Sequence, residues 1–505
     1  MKKQQVTEEV LVGKDILELL AGAMYAEPLT IYREYVQNAA DAIDEAREAG
    51  LPFDYEPGVV ISIDVGARTV TIRDNGASIP AKDFVRRLTT IGASGKRGKT
   101  QRGFRGVGRL SGLGYCQEII FRGRAAGEGR VTEMRWDGRR LRELLRDASF
   151  GGGLADLVRS VVEVSSFSGE GYPSRFFEVE LRKLSRLRGD LLLDAVSIRS
   201  YLSQTAPVPF DPWFTHGPRI DAFLRSKGAP STIGVRIAGE EQPIYHRATD
   251  IIELSPKVND RISGVEFLEL LGEEGEVVAY GWLLDHAYSG AVPKRLGLGG
   301  IRLRSGNIQV GGDDITADLF VEPRFAAWAI GDIHIQSARI LPNARRDAFE
   351  PTVQYAHLQD ELRIIAKRLT QTIRDRSDRR NRLRKVHSHL SVVDEWLAQA
   401  QKEKPAPVVA ARIREIIFAR VKEATKEVGK LAEATPDRAA AEVRIKAILA
   451  QQKKLLPEDV TGPTGKRRSP REKAVEVALN VILEHASSPH AGLLMSKRLL
   501  SAFES

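Results

Sequence analysis

The sequence predicts a multidomain α/β protein with a helical C-terminal region. Three observations carry that reading. The chain has 505 residues, enough for about three domains of ordinary size. Up to about residue 350, short β-branched runs alternate with segments of helical period and glycine-marked turns. From about Val353 onward the apolar residues keep helical spacing, as Leu362, Ile365, Leu369 and Ile373 do.

The elements follow in order. Val10, Leu11, Ile16, Leu17, Leu19 and Leu20 give residues 9–24 the apolar face of a helix. A second helix runs from about Leu29, after Pro28, to Ala49, before the stop signal Gly50-Leu51-Pro52. Val59–Val65 and Thr69–Arg73 are strands with Gly66-Ala67 as the turn between them, which sets Asp74 just off a strand end. Lys82–Leu88 is a short helix, residues 92–108 a glycine-rich mobile loop, and Leu110–Gly114 the start of a buried segment. Strands follow at Ile119–Phe121, Val131–Trp136 and Phe176–Leu181. Residues 189–203 are helical and end before Pro207-Val208-Pro209, the first boundary. Between 211 and 355 strands and helices mix, with strands at Val277–Leu284 and Ile301–Leu303, turns at Gly297–Gly300 and Gly311–Asp314, and a second boundary near Phe349-Glu350-Pro351. The domains expected are therefore 1–210, 211–355 and 356–505. In the last of these, Lys404–Pro407 breaks the helical text, Val408–Leu456 is one helical block, and Pro457–Pro470 is a polar linker before helices that end at Phe503.

Composition narrows the function. An apolar content of 42% and a charged content of 28% are ordinary for a globular chain. No apolar run approaches the roughly 18 residues needed to span a bilayer, and Met1–Gln5 leads into a polar stretch unlike a signal peptide. Cys116 is the single cysteine, which excludes an internal disulfide and a cysteine zinc cluster. The expected location is cytoplasmic, with no membrane partner. The net charge of +9 favours acidic partners, nucleic acid among them. Ten Lys/Arg against three Asp/Glu between Glu361 and Val386, and the run Lys466-Arg467-Arg468, are the basic segments that such a partner would use.

Chemistry concentrates in three ordered segments. In Glu34-Tyr35-Val36-Gln37-Asn38-Ala39-Ala40-Asp41-Ala42, the residues Glu34, Asn38 and Asp41 fall at i, i+4 and i+7, one face of a helix. Two carboxylates and a carboxamide there suit a metal and water better than a hydrophobic core. Asp74-Asn75-Gly76-Ala77-Ser78-Ile79 comes next, then Gly103-Phe104-Arg105-Gly106-Val107-Gly108. Taken singly, each has a plain structural explanation: a surface helix, a hairpin turn, a flexible loop. A P-loop is excluded, because Ala93 stands where its first glycine belongs and the segment follows a helix. A dinucleotide fingerprint fails at Ser111.

Together, and in this order, the segments resemble the boxes of the GHKL ATPases, the family of gyrase, MutL, histidine kinases and the ninety-kilodalton heat-shock chaperones. The first box matches at Glu34, Asn38, Asp41 and Ala42. The second matches at Asp74 and Gly76, with Ser78 in place of its last glycine. The third matches at Gly103, Gly106 and Gly108. The resemblance implies a Bergerat-fold α/β sandwich that binds ATP with Mg²⁺ and hydrolyses it to ADP and phosphate. Asp74 would accept the adenine amino group, Gly76 would let backbone approach the base, and Asn38 would ligate the magnesium. Asp41 and Ile79 would complete the pocket. Gly103, Gly106, Val107 and Gly108 would free backbone N–H groups for the phosphates, with Ser94, Lys96 and Arg105 as further contacts. Glu34 would orient and deprotonate the attacking water.

Ile340-Leu341-Pro342-Asn343-Ala344-Arg345-Arg346-Asp347 is similar to a middle-domain segment of the heat-shock chaperones. In that branch an arginine, here Arg346, crosses to the γ-phosphate. The branch implies a middle domain like domain 2 of ribosomal protein S5, a homodimer, protein clients and an ATP-gated clamp. Gly300–Ile308 and the junction Tyr201–Pro209 are similar to the same branch. In a MutL-like branch Lys294 would be the sensor instead, and the partner of a MutL-like or defence-related protein would be nucleic acid, held by the basic helical segments. The absence of a Met-rich client helix and the basic charge distinguish this chain from the chaperones. The histidines argue against a histidine kinase, since they show no helical phospho-acceptor box before the ATP-binding boxes; His387 and His389 read as solvated helix positions.

Overall fold

The structure is a computed structural model that describes residues 27–90, 108–186, 189–433, 435–456 and 469–504. The helix expected at 9–24, residues 92–107 of the glycine-rich loop and Lys466-Arg467-Arg468 lie outside the described residues. The chain forms two compact units, the first ending at Gln371 and the second beginning at Thr372. The architecture is mixed α/β, with mixed sheets in the first unit and helices in the second.

The first sheet contains β1 (Gly58–Asp64), β2 (Thr69–Asp74), β3 (Glu118–Arg124), β4 (Arg130–Asp137), β5 (Val162–Ser168), β6 (Phe176–Arg182) and β7 (Gly234–Ile237). Their order across the sheet is β5-β4-β3-β6-β2-β1-β7. Neighbours are antiparallel except β1 and β7, which run parallel. The seventh strand thus comes from beyond Pro207–Pro209, and the boundary read there does not cut the sheet free.

One face of this sheet is apolar. Val59, Ile61, Val70, Ile72, Phe121, Trp136 and Leu181 share a core with residues of α1 (Thr30–Glu48), α2 (Ala81–Thr89), α3 (Gly138–Arg146), α4 (Leu154–Val161) and α5 (Ala195–Thr205). On the other face charged side chains pair across strands: Arg122 with Glu133 at 2.7 Å and with Glu178 at 2.8 Å, and Arg73 with Glu178 at 2.5 Å. This is the alternation expected of an antiparallel sheet covered on one side. Sequence reading missed α3, α4 and β5. It also began the helix at 189–203 too early, since a 3₁₀ turn fills Leu191–Leu193 and Asp194 caps α5 by accepting from Ser197 N at 3.0 Å.

The second sheet of the first unit joins β10 (Gly264–Leu271), β11 (Val277–Asp285), β12 (Gly300–Ser305), β13 (Ile308–Val310) and β14 (Ile330–Ile335) in the order β10-β11-β14-β12-β13. A separate ribbon pairs β8 (Ile251–Ser255) with β9 (Val258–Arg261), and α6 (Gly217–Ser226) packs against β11. Registers across β12, β14 and β11 bring Arg304, His334 and Tyr280 into one row and Arg302, Asp332 and Trp282 into the next. The period of two puts both rows on the same face.

The helix α7 (Val353–Glu403) continues from the first unit into the second. It is followed by α8 (Pro407–Val428), α9 (Pro436–Leu455), α10 (Pro470–His485) and α11 (Pro489–Glu504). Proline opens each of these four, where its missing N–H costs nothing. The block expected as one helix over 408–456 is two, because the chain turns at Gly429 and restarts with Thr435 capping Arg438 N. Leu390, Val393, Leu397, Ile413, Ile417, Ile445 and Leu479 form the core of this unit.

Candidate functional site

The site is built on α1. This helix is buried on most of its surface. It ends where Gly50 turns to φ 64° and Leu51 N–H returns to Ala46 O at 2.9 Å, a left-handed stop that glycine adopts without strain. Glu34 and Asp41 are buried at 7% and 3% exposure, and Asn38 is half-buried. Helix periodicity sets the three on one face.

The turn after β2 closes against that helix. Val70, Ile72 and Asp74 alternate into the core, and the strand runs one residue further than the sequence suggested, so that Asp74 is its last residue. Its Oδ1 accepts from Gly76 N at 2.9 Å. Ala77 N–H donates to Ala42 O at 2.8 Å. A Cβ on Gly76 would sit 2.5 Å from the Ala42 carbonyl carbon, so a side chain there would push the turn off the helix. Asn75 is used structurally, its Oδ1 accepting from Gly58 N at 2.9 Å. Ser78 adopts φ 64° in place of the expected glycine, and its hydroxyl donates to Phe176 O at 2.7 Å. That hydrogen bond offsets the roughly 1–2 kcal/mol cost of a left-handed non-glycine residue. Ile79 packs at the edge of the core. Burial pushes the Asp74 acid up to about 7, with the Gly76 N–H and the Arg175 charge pulling the other way.

Only the end of the third segment is described. Gly108 opens a 3₁₀ turn, Gly108–Gly114, and its backbone lies so close to Glu34 that any Cβ would collide with the carboxylate. Tyr35, the next residue on α1, ties down the same turn: its hydroxyl donates to Arg109 O at 3.1 Å and accepts from Gly112 N at 3.2 Å. Ser94, Lys96, Gly103, Arg105, Gly106 and Val107 lie outside the described residues.

Arg346 reaches the same place from far along the chain. Pro342 and Phe349 form an antiparallel bridge, and Asn343 N–H donates to Ala348 O at 2.9 Å. Arg346 sits at the tip with φ 57°, 7% exposed, its Nε 3.9 Å from Glu34 Oε1. Arg345 is exposed, but its carbonyl accepts from Arg33 Nη2 at 3.2 Å. Arg33 Nη2 also lies 3.4 Å from Glu34 Oε1. Two guanidinium groups therefore face one buried carboxylate. Lys294 is exposed in a separate 3₁₀ turn, Lys294–Leu296.

Sequence reasoning missed Arg33, Tyr35 and Arg175. Arg33 and Tyr35 flank Glu34 directly and were hidden by reading only the i, i+4 face. Arg175 donates to Pro52 O at 2.8 Å and Asn75 O at 3.3 Å; nothing local in its sequence marks it.

Among the described residues no three His, Cys, Asp or Glu side chains are placed to hold an ion. A divalent cation here would take oxygens from phosphate and water, with Asn38 adding one, a sharing typical of Mg²⁺.

The basic residues of α7 are engaged at several points: Arg368 with Glu266 at 2.6 Å, Arg379 with Asp437 at 2.6 Å and Arg382 with Glu427 at 3.8 Å. His387 is exposed and His389 half-buried on the same helix. Among the described residues no helix is long and apolar enough to cross a membrane.

No family model matches the chain. Over 154 residues it is 32% identical to the chaperone protein HtpG of Polaromonas naphthalenivorans, a stretch covering 27% of this chain and 24% of that one. It is 33% identical over 142 residues to the protein of the same name from Burkholderia lata, covering 25% of this chain and 22% of the relative. The Verminephrobacter eiseniae protein matches at 32% over 154 residues. The match spans about a quarter of the length of these relatives.

Proposed function

We propose that the chain is an ATP-driven clamp of the heat-shock-protein-90 type, built on a GHKL nucleotide site, that acts on protein clients. The observation that carries the reading is the meeting of Glu34 and Arg346, 3.9 Å apart, beside a turn in which Asp74 is buried against the Gly76 backbone. The partial likeness to proteins named chaperone protein HtpG supports the choice of branch.

In this reading Asp74 selects adenine by accepting its amino group. Asn38 and the phosphates would hold magnesium, which supplies positive charge to the β- and γ-phosphates. Glu34 orients the attacking water and takes its proton. With nucleotide absent, Arg346 and Arg33 compensate the Glu34 charge. When triphosphate enters, Arg346 is in reach to turn from the carboxylate to the γ-phosphate, which frees Glu34 as a base and stabilises charge in the transition state. Closing on ATP and reopening after hydrolysis then drive the clamp, with the 211–355 region as transducer and the helical C-terminal region as the homodimer contact.

The test separates binding from turnover. ATP should bind the wild type by calorimetry in magnesium, and turnover should stop when the metal is chelated. Glu34→Ala should retain binding and lose turnover by roughly 10²–10⁴-fold. Absence of heat on ATP titration defeats the proposal. Suppression of client aggregation identifies the chaperone branch; a salt-dependent affinity for DNA or RNA without it assigns the ATPase to nucleic acid instead.

A further inference from the structure

Arg304 is among the largest fully buried side chains, 2% exposed, and its donors point in three directions. Nε donates to Asp332 Oδ2 on β14 at 2.6 Å. Nη2 donates to Gln204 O at 2.7 Å, and Nη1 lies 3.5 Å from Ala206 O. Nη1 also donates to Asn307 O, in the turn between β12 and β13, at 3.3 Å. Gln204 and Ala206 stand at the C-terminal end of α5, where carbonyls lack intrahelical donors and the helix dipole is negative. A guanidinium fork fits that position in a way a lysine does not.

Both ends of this bridge lead to the site. On one side α5 packs on α1, with its Tyr201 within electrostatic reach of Arg33 and Glu34. On the other side the β12–β13 hairpin ends at Gly311, whose N–H donates to Arg346 O at 2.9 Å. The backbone of Arg346 thus hangs on the hairpin that Arg304 clamps to the helix behind Glu34.

We propose that Arg304 is a positioning residue for Arg346: by tying the end of α5 to the β12–β13 hairpin, it sets the separation between Arg346 and Glu34. The proposal rests on the catalytic reading of that pair. The bridge is a three-way joint, so an ion pair with Asp332 alone does not replace it. A variant that keeps the charge but lacks the fork separates joint from charge.

Arg304→Lys is the first variant. ATP affinity should stay within about twofold of wild type, because the Asp74 turn is untouched, while kcat falls roughly ten- to a hundredfold, the scale of a misplaced catalytic group. In an Arg346→Ala background the same substitution should cost nothing more. Arg304→Met with Asp332→Leu guards against misfolding, since apolar replacement of a whole buried pair is commonly tolerated. In that variant, spin labels at Glu48→Cys and Arg339→Cys, both exposed positions, report the distance from α1 to the segment before the Arg346 loop without nucleotide. Cys116 is buried with its thiol pushed up to about 12 by burial, so it stays unlabelled. A broadened or shifted distance distribution is expected. An unchanged distribution, or an equal loss of kcat with and without Arg346, overturns the proposal. If the wild type neither binds nor hydrolyses ATP, the functional reading fails while the label distances still decide whether Arg304 holds the loop.

Discussion

Asp74 and Asp332 are buried almost equally, at 5% and 3% exposure, yet their carboxyl groups shift in opposite directions. Burial raises Asp74 to about 7, and the Gly76 N–H and Arg175 only temper it. Burial acts on Asp332 in the same sense, but Arg304 and His246 outweigh it and hold the acid well below the usual carboxylate range. Asp332 pairs through Oδ2 with Arg304 at 2.6 Å and with His246 at 3.2 Å. Asp74 accepts instead from a neutral donor, the Gly76 N–H, at 2.9 Å. Depth of burial therefore does not set the direction of a buried carboxyl's shift; the partners do.

The largest expected effect comes from breaking the Arg304–Asp332 pair. Asp332→Ala strands the Arg304 charge and should cost about 3–5 kcal/mol of stability, read from denaturant midpoints at constant m-value. If the loss is under 1 kcal/mol, the Arg304 pair is not what holds that face together.

Asp74→Asn sharpens the other side. It should abolish ATP binding by calorimetry while leaving the fold intact. Between about pH 4 and 7 the native Asp74 holds a proton that the unfolded chain has released, so its contribution to stability falls as pH rises through that window. The asparagine variant should lack this slope, and thermal melting from pH 4 to 8 measures it. Retained nucleotide affinity removes Asp74 from the base pocket.

A pH effect of opposite sign belongs to His334, stacked on Tyr280 at 5.7 Å. Burial lowers its imidazole to about 3. Below the ordinary histidine value near 6.5 the unfolded chain takes up a proton that the native one refuses, so stability falls as pH drops from there toward 3. His334→Gln should flatten that limb. Asp74 and His334 thus work against each other between pH 4 and 6.5, and each variant should expose the slope left by the other.

Ser78→Gly should change least. Relief of the left-handed residue and loss of the Phe176 hydrogen bond nearly cancel, for a net within about 1 kcal/mol by thermal melting. A larger loss would make the hydroxyl, not the backbone, the reason serine stands there.

What was legible beforehand follows the range of the physics. Glu34, Asn38 and Asp41 share a face because helical periodicity is local, and strand alternation carried Asp74 inward with Val70 and Ile72. The two helices joined in the reading of 408–456 parted at Gly429 and Thr435-Pro436, signals that were present but outweighed by continuous helical spacing. Other features lay beyond any local pattern: β7 adding to β1 in parallel, Arg33 reaching the Arg345 carbonyl, and Arg304 binding the end of α5.

By itself the amino-acid order determined the α/β character, the helical C-terminal text and the polar face of α1, since each follows from side-chain spacing along a few turns or a single strand. Tertiary structure alone decided that Arg346 meets Glu34 across 312 positions of chain and that two equally hidden aspartates carry opposite shifts. Those outcomes depend on which charges and backbone donors the folded chain brings within a few ångströms, and electrostatics in a dry interior is governed by such neighbours.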